Sequence, residues 1–242
     1  MILGAIPARW GATRFPGKAL ADVAGRPLIA WVVEAARGSR TLDAVVVVTD
    51  HAGIASAATA AGARAVVIAR EAASGTDRIA HLLAEDERSS AAQVVVNVQG
   101  DEPLLEPDAI DAAVRALRDD PGADVSTLAR RLRSGERADD PNLVKVAVTD
   151  AGRALYFSRS PVPHGAAPTV HVGLYAYRRA AFDRFAAAAP TRLERTERLE
   201  QLRALEIGLS ISVVPYDSRS IGVDSPGDVA RVEAELSGAL GR

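Results

Sequence analysis

Four short runs of β-branched and aliphatic residues constrain the fold most: 2–6, 44–48, 63–68 and 93–98. The second and fourth are apolar without alternation, as expected of strands buried on both faces of a sheet. Between the runs lie segments with helical spacing. One covers 27–37. A second, at 51–61, is rich in alanine, with Thr49 or Asp50 as candidate cap and Gly62 as its end. A third covers 74–85, with Ser74 or Thr76 as candidate cap, and a fourth 107–117. Strands separated by helices of this length predict right-handed βαβ crossovers and a mostly parallel sheet with helices on both faces, a Rossmann-like α/β fold.

After residue 120 the pattern changes. Segments 124–130, 143–148 and 153–157 read as strands, with Asp150-Ala151-Gly152 as a hairpin connection. A Pro-rich irregular stretch follows from 161 to 168, then a strand at 170–177 and a helix at 180–188. Residues 197–207 have the spacing of one amphipathic helix, with Leu199, Leu202, Ala204 and Leu205 inward and Glu197, Arg198 and Arg203 outward. A late strand covers 211–215, and Ser225-Pro226 opens a final helix. At 242 residues, the expectation is one domain spanning 1–242, with 124–180 as a β-rich insertion.

Composition narrows the chemistry. Lys and Arg number 29 against 31 Asp and Glu, which argues against a partner held by bulk charge, such as nucleic acid or an anionic membrane. There is no cysteine, so disulfides, thiolate nucleophiles and Cys–metal sites are excluded; the four histidines lack zinc-site spacing. No apolar run approaches the ~18 residues of a membrane span, and the expected setting is cytoplasmic.

In open α/β sheets, ligands meet the loops beyond the carboxyl ends of the strands. The first such loop carries Arg9, Arg14 and Lys18 with Gly11, Pro16 and Gly17, a set suited to polyanions such as phosphates. It is not a Walker A loop: Ala12 stands five places before Gly17, and Ala19 follows Lys18. G-x-G-x-x-G is absent from the chain. The fourth strand ends in Gln99-Gly100-Asp101-Glu102-Pro103, an acidic pair placed where a metal ion meets a phosphate, or else a turn capping the next helix. Asp224, ahead of the last helix, is either a second carboxylate for that metal or a partner of the helix dipole. Gly75, Thr76 and Arg78 open the third helix. Tyr156 to Arg159, His171, Gly173 and Tyr175 place polar groups at strand ends, and Glu200 and Gln201 are adjacent on the 197–207 helix.

IPARWGATRFPGK, SGTDR, VNVQGDEP, ALYFSR, HVGLYAYR, LEQLRAL and GVDSPGD occur in an order and spacing that resemble the 3-deoxy-manno-octulosonate cytidylyltransferase (CMP-Kdo synthetase) family, from about residue 2 to residue 236. The resemblance implies a fold of the nucleotide-diphospho-sugar transferase type, Mg²⁺ dependence, and transfer of CMP from CTP to a 2-keto-3-deoxy sugar acid, Kdo, with release of pyrophosphate. It also implies a homodimer built partly through the insertion, and a place in lipopolysaccharide precursor synthesis. On the family pattern Arg9, Arg14 and Lys18 face the CTP phosphates, with Gly75, Thr76 and Gly100 lining the nucleotide site. Asp101 and Asp224 become the Mg²⁺ ligands, and Lys18, Arg14, Asp101 and Asp224 the catalytic set. Arg78, Gln99, Arg159, His171, Tyr175, Glu200 and Gln201 fall where the sugar acid is held, Arg159 and His171 at its carboxylate.

The chain departs from the family at Trp10, where a smaller aromatic such as Tyr is expected, and at Ala12, where Ser is usual. Its segment 161–169 is also shorter than in familiar members. A related sugar acid, 8-amino-Kdo or a sialic acid, is therefore the alternative substrate. Against a non-catalytic nucleotide-binding relative stand the paired carboxylates, and against a glycosyltransferase the absence of D-x-D after the fourth strand, which continues Asp101-Glu102-Pro103.

Overall fold

The computed structural model describes residues 1–11 and 15–240, so Arg14 and Ala12 lie outside the described residues. Two compact units partition the chain: Met1–Asp111 with Arg219–Arg242, and Ala112–Ser218. The segment 124–180 falls inside the second.

The first unit begins with β1 (Ile2–Ala8), a 3-10 turn (Lys18–Leu20) and a small hairpin, β2 (Asp22–Val23) and β3 (Arg26–Pro27). Then come α1 (Leu28–Gly38), β4 (Ala44–Thr49), α2 (Ala52–Ala60), β5 (Arg64–Val67), α3 (Gly75–Glu85), the short α4 (Glu87–Ser90) and β6 (Val94–Asn97). The order of the paired strands in this unit is β6-β1-β4-β5, all parallel. Leu3, Ala5, Ile6, Val46, Val47, Val48, Val95 and Val96 are buried whichever way their side chains point, which requires cover on both faces. Part of that cover comes from α1, whose Leu28, Ile29, Val32, Val33 and Ala36 form a buried stripe. The chain returns to this unit as α9 (Pro226–Leu240), where Glu233 accepts a hydrogen bond from Ala24 N at 2.9 Å.

The division between units falls within α5 (Pro107–Asp119). On its first-unit portion, Asp111 is fully buried and gathers the 39–41 turn. Its Oδ1 accepts from Ser39 Oγ (2.5 Å), Arg40 N (3.0 Å), Thr41 N (3.1 Å) and Thr41 Oγ1 (2.8 Å). Burial alone would raise this carboxyl, but the hydrogen bonds more than offset it and hold the group below its ordinary value.

The second unit contains β7 (Val125–Arg131), β8 (Lys145–Val148), β9 (Ala154–Ser158), β10 (Thr169–Arg178), α6 (Arg179–Ala187), α7 (Arg192–Glu197), α8 (Gln201–Glu206) and β11 (Ile211–Pro215). β11 pairs with β7 in parallel, while β7–β10, β10–β8 and the β8–β9 hairpin are antiparallel. The 150–152 hairpin connection forms as expected, with Gly152 at φ +78°.

The single helix expected over 197–207 does not form. A capping box from Thr191 to Glu194 starts α7 earlier, and Arg198 at φ +56° ends it before α8 begins. Arg203, expected outward, is buried. Its Nε lies 3.2 Å from Glu194, its Nη1 donates to Ala188 O at 2.9 Å, and its guanidinium sits 4.3 Å over the Phe185 ring. No described helix is long and apolar enough to cross a membrane.

Candidate active site

The first unit holds a cavity of about 310 Å³ beyond the carboxyl ends of β1 and β6. Four segments line it. Pro7 and Ala8 end β1, Arg9 and Phe15 come from the loop after it, Lys18 and Ala19 from the 3-10 turn that follows, and Ser74, Gly75 and Arg78 from the start of α3. Gln99, Gly100 and Asp101 follow β6, and Asp224 precedes α9. Of the residues expected at the nucleotide, metal and sugar, Arg9, Lys18, Gly75, Arg78, Gln99, Gly100, Asp101 and Asp224 converge here. Thr76 is buried in the first turn of α3 and is not among the lining residues.

Lys18 is the junction. Its Nζ lies 2.5 Å from Asp101 Oδ2 and 3.3 Å from Asp224 Oδ1, and donates to Val223 O at 3.0 Å. Val223 N in turn donates to Asp101 O at 2.9 Å. One ammonium thus ties three distant stretches of chain, and two carboxylates face one cation. The neighbouring acid takes a different path: Glu102 accepts from Ser220 Oγ at 2.6 Å and is absent from the cavity wall. Burial, reinforced by the Asp101 and Glu106 carboxylates and opposed by the Ser220 bond, pushes Glu102 up to about 7.

Backbone proximity shapes the wall. A side-chain carbon on Gly100 would stand 2.6 Å from Pro7 O, and one on Gly75 would stand 3.0 Å from the Pro7 ring. Only glycine at 100 lets the end of β1 and the loop after β6 lie this close. At the other side, Ser74 caps α3, its Oγ accepting from Asp77 N at 3.2 Å while Asp77 Oδ2 accepts from Ser74 N at 3.1 Å. The helix therefore presents its N-terminus, the favourable end for anions, to the cavity.

Arg78 is buried, with Nη2 3.0 Å from Asp50 Oδ2 and Nη1 donating to Ile68 O at 3.3 Å. Asp50 was expected as a candidate cap of α2, but that cap is His51, whose Nδ1 accepts from Gly53 N at 3.1 Å. Asp50 belongs to the cavity's support instead, as do Phe15 and Ser74 to its wall. The available signal for Asp50 was its place directly after the end of β4, on the same carboxyl-end side of the sheet as the loop after β6 that carries Asp101.

Arg159, His171, Tyr175, Glu200 and Gln201 lie in the second unit. Arg159 directs Nε to Glu197 O (2.9 Å), Nη1 to Pro141 O (2.8 Å) and Nη2 to Arg198 O (3.4 Å). The Glu197 carboxylate, expected outward, accepts from Ser158 Oγ and Arg159 N, both at 2.9 Å. His171 packs against the rings of Phe157 and Tyr175, with Nε2 2.9 Å from Thr127 Oγ1. Burial pushes the imidazole down to about 3, so it is neutral at pH 7 and engages a partner by hydrogen bonding, not as a cation. Tyr175 continues this ring series toward Tyr177. Glu200 is half-buried at the start of α8, 3.9 Å from Arg203, and Gln201 is buried.

Residues 3–211 match the family described as Cytidylyltransferase. A 3-deoxy-manno-octulosonate cytidylyltransferase of Anaeromyxobacter sp. (strain Fw109-5) is 50% identical over 238 residues, covering 96% of this chain and 95% of that one. One from Bdellovibrio bacteriovorus is 44% identical over 246 residues, 98% of each. The solved structure of a CMP:2-keto-3-deoxy-manno-octonic acid synthetase complexed with CTP superposes with a TM-score of 0.90 at 35% identity, over 98% of this chain and 99% of the other. A putative glucose-1-phosphate thymidylyltransferase from Bacillus anthracis, at 15% identity and a TM-score of 0.69, shares the fold alone. The chain belongs to the cytidylyltransferase family, among the 3-deoxy-manno-octulosonate cytidylyltransferases.

Proposed function

We propose that this protein transfers CMP from CTP to 3-deoxy-manno-octulosonate, releasing pyrophosphate. The observation that carries the reading is the convergence of Asp101 and Asp224 on the Lys18 ammonium inside the cavity. The similarity to named relatives over nearly the whole chain supports the choice of nucleotide and sugar.

Two carboxylates around one cationic point suit Mg²⁺, which takes one or two protein carboxylates and completes its shell with water and substrate phosphates. Asp101 and Asp224 would hold the ion, which when bound supplies charge neutralisation at the phosphates and acidification of the attacking hydroxyl. The protein's remaining work is positioning and electrostatics. Arg9, Lys18 and the N-terminus of α3 receive the triphosphate, and Lys18 balances charge gathering on the departing pyrophosphate. The anomeric hydroxyl of the sugar acid forms the new bond to the α-phosphorus as the α–β anhydride bond breaks, and its proton passes to solvent. Ser74 carries the one hydroxyl on the described cavity wall, and its oxygen is already occupied as a helix cap. The reading is therefore a direct displacement, with Asp101 and Asp224 both bonded to Lys18 and all three assigned to charge balance, not to nucleophilic attack. The same reading includes a homodimer formed partly through 124–180 and a cytoplasmic setting.

The test is pyrophosphate release with CTP and Mg²⁺ in the presence of 3-deoxy-manno-octulosonate, its 8-amino analogue, a sialic acid, or no sugar. Release with the first is expected, and Asp101→Asn should lower that turnover by on the order of 10²–10³ without loss of fold. Preference for the amino analogue would reassign the substrate and attribute it to the short 161–169 segment. No release with any sugar would overturn the reading.

A further inference from the structure

A carboxylate outside the cavity wall bonds to both sides of it. Asp50 Oδ1 accepts from Trp10 N at 2.9 Å, and Oδ2 pairs with Arg78 Nη2 at 3.0 Å. Trp10 directly follows Arg9, the first cation of the loop, and Arg78 is a wall residue on α3.

Trp10 is also the neck of that loop. Its carbonyl accepts from Gly17 N at 2.9 Å, closing the 10–17 segment on itself. Gly17 adopts φ +72°, and a side-chain carbon there would sit 3.1 Å from the Trp10 ring. The ring also stacks on His51, at 4.2 Å between centroids and 15° between planes. One end of the loop is thus bonded to the other, and the pair is fixed to the residues after β4 by one hydrogen bond and one ring stack. Lys18 follows immediately. Its reach to Asp101 and Asp224 therefore starts from a backbone whose place depends on residues 50 and 51.

We infer that Asp50 is a positioning residue for the nucleotide loop, latching Trp10 N on one oxygen and orienting Arg78 with the other, while His51 seats the Trp10 ring. Asp50 acts through Trp10 and Arg78, not on substrate. Its loss frees the neck and leaves a buried guanidinium without its carboxylate. This inference rests on the nucleotide-transfer reading of the cavity, and two readouts separate them.

The first readout is kinetic. Asp50→Ala is expected to raise the KM for CTP about tenfold while kcat stays within about twofold. Asp50→Asn keeps an oxygen for Trp10 N but gives up the ion pair, so its KM should fall between the two. The second readout needs no substrate. The chain has two tryptophans, so in a Trp31→Phe background all tryptophan emission comes from Trp10. Asp50→Ala should then raise acrylamide quenching about twofold, and Asp50→Asn should leave it near the parent value. An unchanged KM for CTP in Asp50→Ala, or a fall in kcat that only tracks the folded fraction, would overturn the positioning role. Quenching identical in parent and Asp50→Ala would overturn the latch. If the parent itself binds no CTP, the transfer reading fails, and quenching alone still decides the latch.

Discussion

At the scale of single residues, the cavity depends on one close approach and one shared cation. Gly100 lies where any side chain would meet Pro7 O, so Gly100→Ala must move β1 or the loop carrying Asp101. The expected cost is about 1–3 kcal/mol, read from urea unfolding, together with a raised KM for CTP. A Gly100→Ala protein with wild-type stability and kinetics would show that the wall yields freely. Lys18 illustrates what a sequence can and cannot reveal. The proposal that it faces phosphate rests on loop chemistry legible in the sequence, whereas its contact with Asp224 spans 206 positions and has no local signature. Asp50 was misread for the same reason. A carboxylate before an alanine-rich helix has the local pattern of a cap, yet its partners lie 40 and 28 positions away.

Among the elements, α5 and the turn it holds offer the sharpest test. Asp111, itself fully buried, gathers four part-buried donors, so Asp111→Ala removes their shared acceptor and should cost about 1–3 kcal/mol by urea denaturation. The strands were the most legible elements. Continuous aliphatic runs at β1, β4 and β6 mark burial on both faces; the structure extends β1 by two residues and β4 by one, and trims β6 by one at each end. Helix phase was less legible at 197–207. Apolar spacing continues across Arg198, but the backbone turns left-handed there, and periodicity carries no information about a single φ. The two-residue strands β2 and β3 are too short to show any period.

For the whole molecule, acid should act in two stages. His171 is held neutral down to about 3, while in the unfolded chain it takes a proton near pH 6.5. Through this group the unfolded state binds more protons below that pH, so its contribution to stability declines from about pH 6.5 downward. Glu102, raised to about 7, runs the other way, because the folded state takes that proton first, and it offsets the decline between about pH 7 and 4.5. Carboxylates held low in the fold behave as His171 does, in a lower window. Hydrogen bonds from Arg64 hold Asp86 far down, Arg130 holds Glu136 down, and the donors around Asp111 outweigh its burial. Their stabilisation is complete above about pH 4–4.5 and is lost as pH falls through their depressed values. Unfolding free energy against pH should be nearly flat from about pH 7 to 4.5 and then fall steeply, and His171→Gln, which leaves Glu102 unopposed, should make stability rise as pH falls through that upper window. A His171→Gln curve parallel to that of the wild type would show that the imidazole is not kept neutral by the fold.

The return of residues 219–242 to the first unit also bears on how the protein is made. A ribosome delivers chain from the N-terminus at roughly 5–20 residues per second. Lys18 and Asp101 therefore emerge well before Asp224, and the hairpin donor Ala24 waits for Glu233. Closing contacts across about 200 positions costs loop entropy before it returns any bonding. A nascent chain can pair β1 with β4 and β6 early, but its two carboxylates cannot face one cation until residue 224 has been made. The pairing of both carboxylates with Lys18 is thereby coupled to the delivery of residue 224, and a chain interrupted before it carries Lys18 and Asp101 without the second carboxylate.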